Sequence, residues 1–354
     1  MNIKARYLLI LAVLFWALTV SAAAQENPPK AKTGESLTVT DMAGRAVTLD
    51  RPARRIVTTF KPATLCVFCL GLENHLVGID TESAQDKLQR AVFPGVSEIT
   101  VVGKKSTGLN LSTLAALKPD LVILYAQKDG LRLAERLATM DICSVVILPE
   151  SFASIQESLR VIAGAMGKAK RTGRIVSLME DILRRVDRRV ADIAAKDRKK
   201  AYFASPRGLF STATGNMLQH EIFARAGLIN VSRHLSGYFQ DISPEQFIRW
   251  HPDIVVLSQS LDPRVLERLE NPAFDRIPAV SEKAIYRFPC SLAPWDFPSP
   301  LSVLGSLWLA EKAYPEKFSD TDVKAVINRF HKNLFGQTLS EMGGKLNDHP
   351  YAAR

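Results

Sequence analysis

One sixteen-residue pattern occurs twice in this chain and constrains its fold more than any other feature. Leu109-Asn110-Leu111-Ser112-Thr113-Leu114-Ala115-Ala116-Leu117-Lys118-Pro119-Asp120-Leu121-Val122-Ile123-Leu124 aligns without gaps on residues 242–257. There Ser243, Glu245, His251, Pro252 and Asp253 stand at the positions of Asn110, Ser112, Lys118, Pro119 and Asp120. Each copy reads as a capped helix of about two turns, a Pro-Asp turn that stops it, and a four-residue apolar strand. A helix that feeds a buried strand, used twice, argues for α/β architecture with two similar lobes. His251 reads as a helix-end residue, not as a ligand.

Between the copies Ile175, Leu178, Ile182, Val186, Val190 and Ile193 recur at steps of three or four, so one long helix with an apolar stripe is expected over 167–200. At about 1.5 Å per residue it would span roughly 40 Å. Two Rossmann-like α/β lobes joined by this helix, with a ligand cleft between them, follow from the pattern. The boundaries read as a signal peptide at 1–24, a leader at 25–36, a first lobe at 37–166, the helix at 167–200, a second lobe at 201–342 and a tail at 343–354. Within the first lobe, 37–49 reads as a hairpin around Gly44, and strands at 55–59 and 76–80 flank a helix from Pro62 to Leu72. In the second lobe strands are expected at 201–204 and 284–288, with helices at 218–226, 301–313 and 323–335.

Lys4 and Arg6 precede an apolar run over 7–20 and the small-residue site Ala22-Ala23-Ala24, the three parts of a cleavable export signal. The mature chain is therefore expected in the periplasm. The formal charge of +10 is concentrated in residues 168–200, which carry 12 Lys and Arg against 5 Asp and Glu. A basic outer face of one solvated helix accounts for it, and no nucleic-acid partner is expected. Cys66 and Cys69 lie two apart in an apolar helix, without a second Cys pair or a nearby His to complete a metal set, so they read as buried small hydrophobes. A disulfide is the next reading, and a Cys-based metallochaperone or redox enzyme a more distant one. No phosphate-loop, nucleophile-elbow, zinc-protease or dinucleotide motif is present. The chain is not expected to be an enzyme, and no cofactor or metal site is assigned.

Loops at strand C-termini face a cleft in α/β sheets. Here they are 58–61, 104–106, 125–128, 205–207, 258–260 and 291–297. They supply Thr59, Lys61, Lys104, Lys105, Tyr125, Arg207, Ser258, Gln259, Trp295, Asp296 and Phe297, with Tyr238 from a further loop, as candidate ligand residues. Cations, hydroxyls and flat aromatics together suit an anionic ligand with some apolar body. In 294–300 an aromatic pair is fixed by three prolines, with Ser299 as the expected N-cap and Pro300 at the first helical position, so Trp295 is expected on display beside free backbone N–H groups.

These residues resemble a known family, the substrate-binding proteins of ABC importers for iron-siderophore complexes, haem, cobalamin and, in some members, molybdate or tungstate. The resemblance rests on Asp41-x-Ala43-Gly44-Arg45, Arg54-Arg55-Ile56-Val57, Gly71-Leu72-x-x-x-Leu76-Val77-Gly78 and the stretch from Leu109 through Val122. It implies two α/β lobes bridged by one helix, a noncatalytic monomer with small lobe motion, and a permease partner in the inner membrane. It also implies that an acidic residue on each lobe docks on that permease. Glu245 takes this place in the second lobe, whereas the first-lobe position holds Ser112, leaving Glu98 or Asp129 as substitutes. A ferric siderophore-type chelate is the favoured cargo, with cobalamin, haem or molybdate/tungstate as alternatives.

Overall fold

The computed structural model describes residues 36–104, 108–127, 129–289 and 291–346. The export signal, the leader up to residue 35, Lys105, Cys290 and the tail from 347 lie outside the described residues, as does the side chain of Lys104.

The chain opens with a hairpin of β1 (Leu37–Thr40) and β2 (Ala46–Leu49). Asp41 builds its turn: one carboxylate oxygen accepts the N–H groups of Ala43 and Arg45, while the other accepts the Arg45 guanidinium and the N–H of Val146. The same side chain therefore shapes the turn and fastens it to the lobe behind, with Gly44 supplying the positive φ of +79°. The first lobe is a five-stranded, wholly parallel sheet of β3 (Ile56–Thr58), β4 (Leu76–Ile79), β5 (Thr100–Val101), β6 (Leu121–Tyr125) and β7 (Ser144–Ile147), in the order β5-β4-β3-β6-β7. Its helices include α1 (Lys61–Cys69), α2 (Leu111–Ala116), α3 (Gly130–Ala138) and α4 (Phe152–Ala165).

Helix α5 (Lys170–Val190) then leads to the second lobe, which is built on β8 (Lys200–Ala204), β9 (Ile229–Asn230), β10 (Ile254–Leu257) and β11 (Ile285–Arg287). These four strands are also all parallel, in the order β9-β8-β10-β11. Helices α6 (Leu218–Arg225), α7 (Pro244–Trp250), α8 (Ser302–Ala313) and α9 (Val323–Phe335) belong to this half.

The internal repeat is the same physical unit in both lobes. Asn110 caps α2 by accepting the N–H of Thr113, and Ser243 caps α7 by accepting that of Gln246. Each helix stops at a residue with positive φ, Lys118 at +46° and His251 at +48°. The shared aspartates explain why that letter is kept. Asp120 accepts the N–H groups of Arg54 and Arg55 just before β3, and Asp253 accepts that of Lys200 at the start of β8. Each thus ties the repeat to the first strand of its own sheet, next to which the repeat strand pairs.

Helix α5 is shorter than the 167–200 expected, 21 residues or about 30 Å. It ends at Val190, and a 3-10 turn at Ala195–Asp197 precedes β8. Three of its arginines are engaged by the protein's own carbonyls. Arg171 donates to the carbonyls of Leu70 and Gly71, Arg174 to that of Asn333, and Arg189 to that of Lys317. Carbonyls left open at helix ends attract such cations. Ile175, Met179, Ile182, Leu183, Val186 and Val190 form its buried stripe, and one apolar cluster runs through them from Phe68 and Phe152 in the first lobe to Phe223 and Trp308 in the second. Among the described residues no helix is long and apolar enough to cross a membrane.

Candidate ligand cleft

In a parallel sheet the helices that follow strands begin at the strands' C-terminal edge, so that edge collects loops and helix N-termini. Between the two edges lies a cavity of about 400 Å³. The first lobe contributes Phe60, Lys61, Asp80, Glu82, Tyr125, Gln127 and Glu150; the second contributes Arg207, Met217, Gln219, Tyr238, Phe239, Ser258, Ser260, Asp296 and Phe297, with Pro62, Pro206, Pro294 and Pro298 between them. Seven of the residues expected from sequence are therefore brought together: Lys61, Tyr125, Arg207, Tyr238, Ser258, Asp296 and Phe297.

Each cation is held in place. Lys61 sits at the start of α1, 2.6 Å from Asp86, and its ammonium lies 5.5 Å from the centre of the Phe297 ring across the cleft. Arg207 donates to the carbonyl of Phe239 and lies over that ring. Glu150 accepts from the Tyr125 hydroxyl and from Gln127 at 3.1 Å, so the first-lobe wall is a polar network backed by the Phe60–Tyr125 ring pair. Burial pushes the Tyr125 phenol up, and the neighbouring Glu150 charge adds to it.

Two carboxyl groups lie deep in this site. Burial raises the Asp80 carboxyl, against hydrogen bonds from Ser83 and the Glu82 backbone, which it receives as N-cap of residues 81–84. Burial likewise raises the Asp296 carboxyl, opposed by hydrogen bonding from Ser258 and by the charge of Lys61. Gln219 fixes this loop by donating to the Asp296 carbonyl at 2.7 Å. Among the described residues no group of three His, Cys, Asp or Glu side chains is gathered for a metal ion.

Several expectations need correction. Trp295 is 0% exposed and is not part of the cleft wall. The turn that presents Asp296 and Phe297 buries the indole instead, with the Trp295 carbonyl and Cβ seated close against Gly305 of α8. Ser299 is not an N-cap: helix α8 begins at Ser302, and Ser299 instead accepts through its carbonyl from the Ser302 hydroxyl and N–H. Thr59 is buried with its hydroxyl on the carbonyl of Ile123 and faces a neighbouring cavity. Gln259 is half-buried and lies outside the lining. The cysteines, in contrast, lie where expected: Cys66 and Cys69 are free thiols in the core, and burial pushes Cys66 up to about 12 and Cys69 well above its ordinary value.

Sequence reasoning also missed wall residues. Asp80, Glu82 and Glu150 follow β4 and β7, so the strand-end rule that found the other loops would have reached them. Met217 and Gln219 start a helix that follows only the short strand Ser211–Thr212, which lies outside the parallel sheet, and nothing in their local pattern marks them.

Two parallel-sheet lobes on one helix, with a polar and aromatic cleft between their C-terminal edges, define a bilobal binding protein. Residues 56–292 match the periplasmic binding protein family, and the chain belongs to it. It is similar to the molybdate-binding protein MolA of Haemophilus influenzae, 23% identical over 350 residues that cover 92% of this chain and 95% of that protein. It is also similar to the Fe(3+)-citrate-binding protein YfmC of Bacillus subtilis, 24% identical over 78% of this chain and 86% of that protein. Among solved structures, Helicobacter pylori CeuE in complex with Ni-His superposes with a TM-score of 0.75 at 21% identity, covering 87% of this chain and 98% of that one.

Proposed function

We propose that this chain, the substrate-binding component of an ABC importer, captures a compact metal chelate with an organic shell, of the ferric siderophore or metal–amino acid type, and delivers it to its permease. The observation that carries this reading is the cleft's size together with its lining. Phe60 and Tyr125 face Tyr238, Phe239 and Phe297 across about 400 Å³. That volume is at the lower end of the roughly 300–1,000 Å³ typical of small-molecule sites. A bare tetrahedral oxyanion would leave these rings without a partner, and a corrinoid with its nucleotide tail is larger than the space. A chelate presents polar edges to Lys61, Arg207 and Ser258 and apolar faces to the rings.

Relatives are named for a wider range of cargo, molybdate, Fe(3+)-citrate and vitamin B12, of which Fe(3+)-citrate is a compact chelate. The purified chain from residue 25 onward, titrated calorimetrically with ferric hydroxamates, ferric citrate, Ni-His, haemin, cobalamin, molybdate and tungstate, tests the assignment. Saturable binding of one or more of the first three supports it. Binding of molybdate or tungstate alone, or of cobalamin alone, refutes it.

Glu245 is the residue we assign to permease docking. It lies exposed in the first turn of α7, and its carboxyl is held below the usual range by hydrogen bonding with Ser243. Ser112, at the equivalent turn of α2, donates to Asn110 and carries no charge, so docking through these turns is one-sided.

A further inference from the structure

Helix α6 reaches across the lobe boundary. From its first two turns Glu221 extends its carboxylate to the N–H of Phe152, 2.7 Å away, which is the first residue of α4 in the opposite lobe. The N-cap of α4, Ser151, already accepts the N–H of Ser154. Glu221 therefore takes a second open donor at that helix end, and a carboxylate there also meets the positive end of the helix dipole. One turn on, Arg225 bonds Asp187 of α5 at 2.8 Å. Between these contacts a groove of about 290 Å³ separates α4, α5 and α6. At this flank directed polar contacts thus bridge open space outside the packed cluster that joins the lobes.

The same stretch carries part of the cleft wall: Met217, the N-cap of α6, and Gln219 both line the cavity, and Gln219 anchors the loop of Asp296. We propose that Glu221 is a positioning residue that pins the second lobe to the first and thereby couples the cleft wall at Met217 and Gln219 to the separation of the lobes. The inference rests on the two-lobe fold and is independent of which cargo binds.

The test uses ligand-free protein, so it stands whatever the titration above returns. Amide hydrogen exchange is followed in the wild type and in Glu221→Ala and Glu221→Gln. Spin labels at Glu135→Cys and Glu267→Cys, both exposed positions on opposite lobes, report the interlobe distance in a Cys143→Ser, Cys290→Ser background. A hydrogen bond to a charged group is lost in the Ala variant, so exchange of the Phe152 amide should rise on the order of tenfold or more. Residues 217–219 should exchange faster with it, and the label distance distribution should broaden. Glu221→Gln keeps a neutral acceptor and should recover most of the wild-type behaviour. Faster exchange confined to residues 222–225, an unchanged label distance, or a Gln variant no better than Ala would each overturn the proposal. Glu221→Asp, one methylene too short to reach Phe152, gives the same reading if the Ala variant does not fold.

Discussion

Replacing Lys61 by Met separates what this residue does for the cargo from what it does for the fold. Its ammonium is 2.6 Å from Asp86, with 16% of the lysine side chain exposed and 1% of the aspartate's. Asp86 also caps residues 87–92 by accepting the N–H of Gln89 at 3.0 Å. In Lys61→Met the cap survives but a buried carboxylate loses its cation, and removing one partner of such a pair costs roughly 3–5 kcal/mol. With a urea m-value of about 3 kcal/mol/M, the unfolding midpoint should fall by roughly 1 M or somewhat more. Adding Asp86→Asn removes the stranded charge while keeping an acceptor for Gln89, so the double variant should regain more than half of that loss. Affinity for the cargo should stay low in both, because the ammonium facing Phe297 is absent from both. A Lys61→Met protein with an unchanged midpoint would refute the pairing argument, since Asp86 would then have another means of bearing its charge.

Four further outcomes are expected. His331 is buried against Phe330 and Phe335, and burial lowers its imidazole to about 4; being neutral in the folded protein, it contributes stability that is fully present above the unfolded value of about 6.5 and is lost as pH falls toward 4. His331→Phe should therefore flatten the pH dependence of urea unfolding in that window by up to about 3 kcal/mol, and an unaltered profile would exclude this group as its source. Glu245→Ala should leave cargo affinity intact and reduce uptake in cells, whereas Ser112→Glu should raise uptake if the first-lobe turn also meets the permease; a parallel loss of affinity in Glu245→Ala would count against docking. Trp295→Ala should destabilise by roughly 3–5 kcal/mol through the cavity it leaves, while Trp295→Phe should bind cargo as the wild type does. Asp253→Ala, which strands the Lys200 N–H, should lower stability by about 1–3 kcal/mol with no change in binding once the protein is folded.

What was legible in the sequence was what local chemistry repeats. The Pro-Asp pair could be read because its aspartate performs one backbone task twice, closing the N–H groups at the start of β3 and of β8. The apolar stripe of α5 could be read because 3.6-residue periodicity survives along its whole buried face. The end of that helix was overrun because the apolar recurrence continues to Ile193 and basic residues resume at Lys196, while the turn at Ala195–Asp197 is set by where β8 must enter its sheet. Tertiary demands of this kind leave no local mark.

The cleft follows the same division. Residues that line it because they end a strand, such as Tyr125 and Ser258, were found by topology alone, and Glu150 was within reach of the same rule. Which side of a loop faces the ligand was not legible: 294–298 offers Trp295 and Phe297 as equally good aromatic walls, and only tertiary packing, in which Trp295 is fully buried with its carbonyl and Cβ against Gly305 of α8, separates them. The two faces of that loop are therefore under different constraints. The inward face is fixed by packing against α8, and the outward face, Asp296 and Phe297, is free to vary with cargo so long as Gln219 keeps its hold on the Asp296 carbonyl. Under the proposed function, a backbone anchored from behind while its cleft-facing side chains change puts cargo specificity on side chains that the repeat neither contains nor predicts.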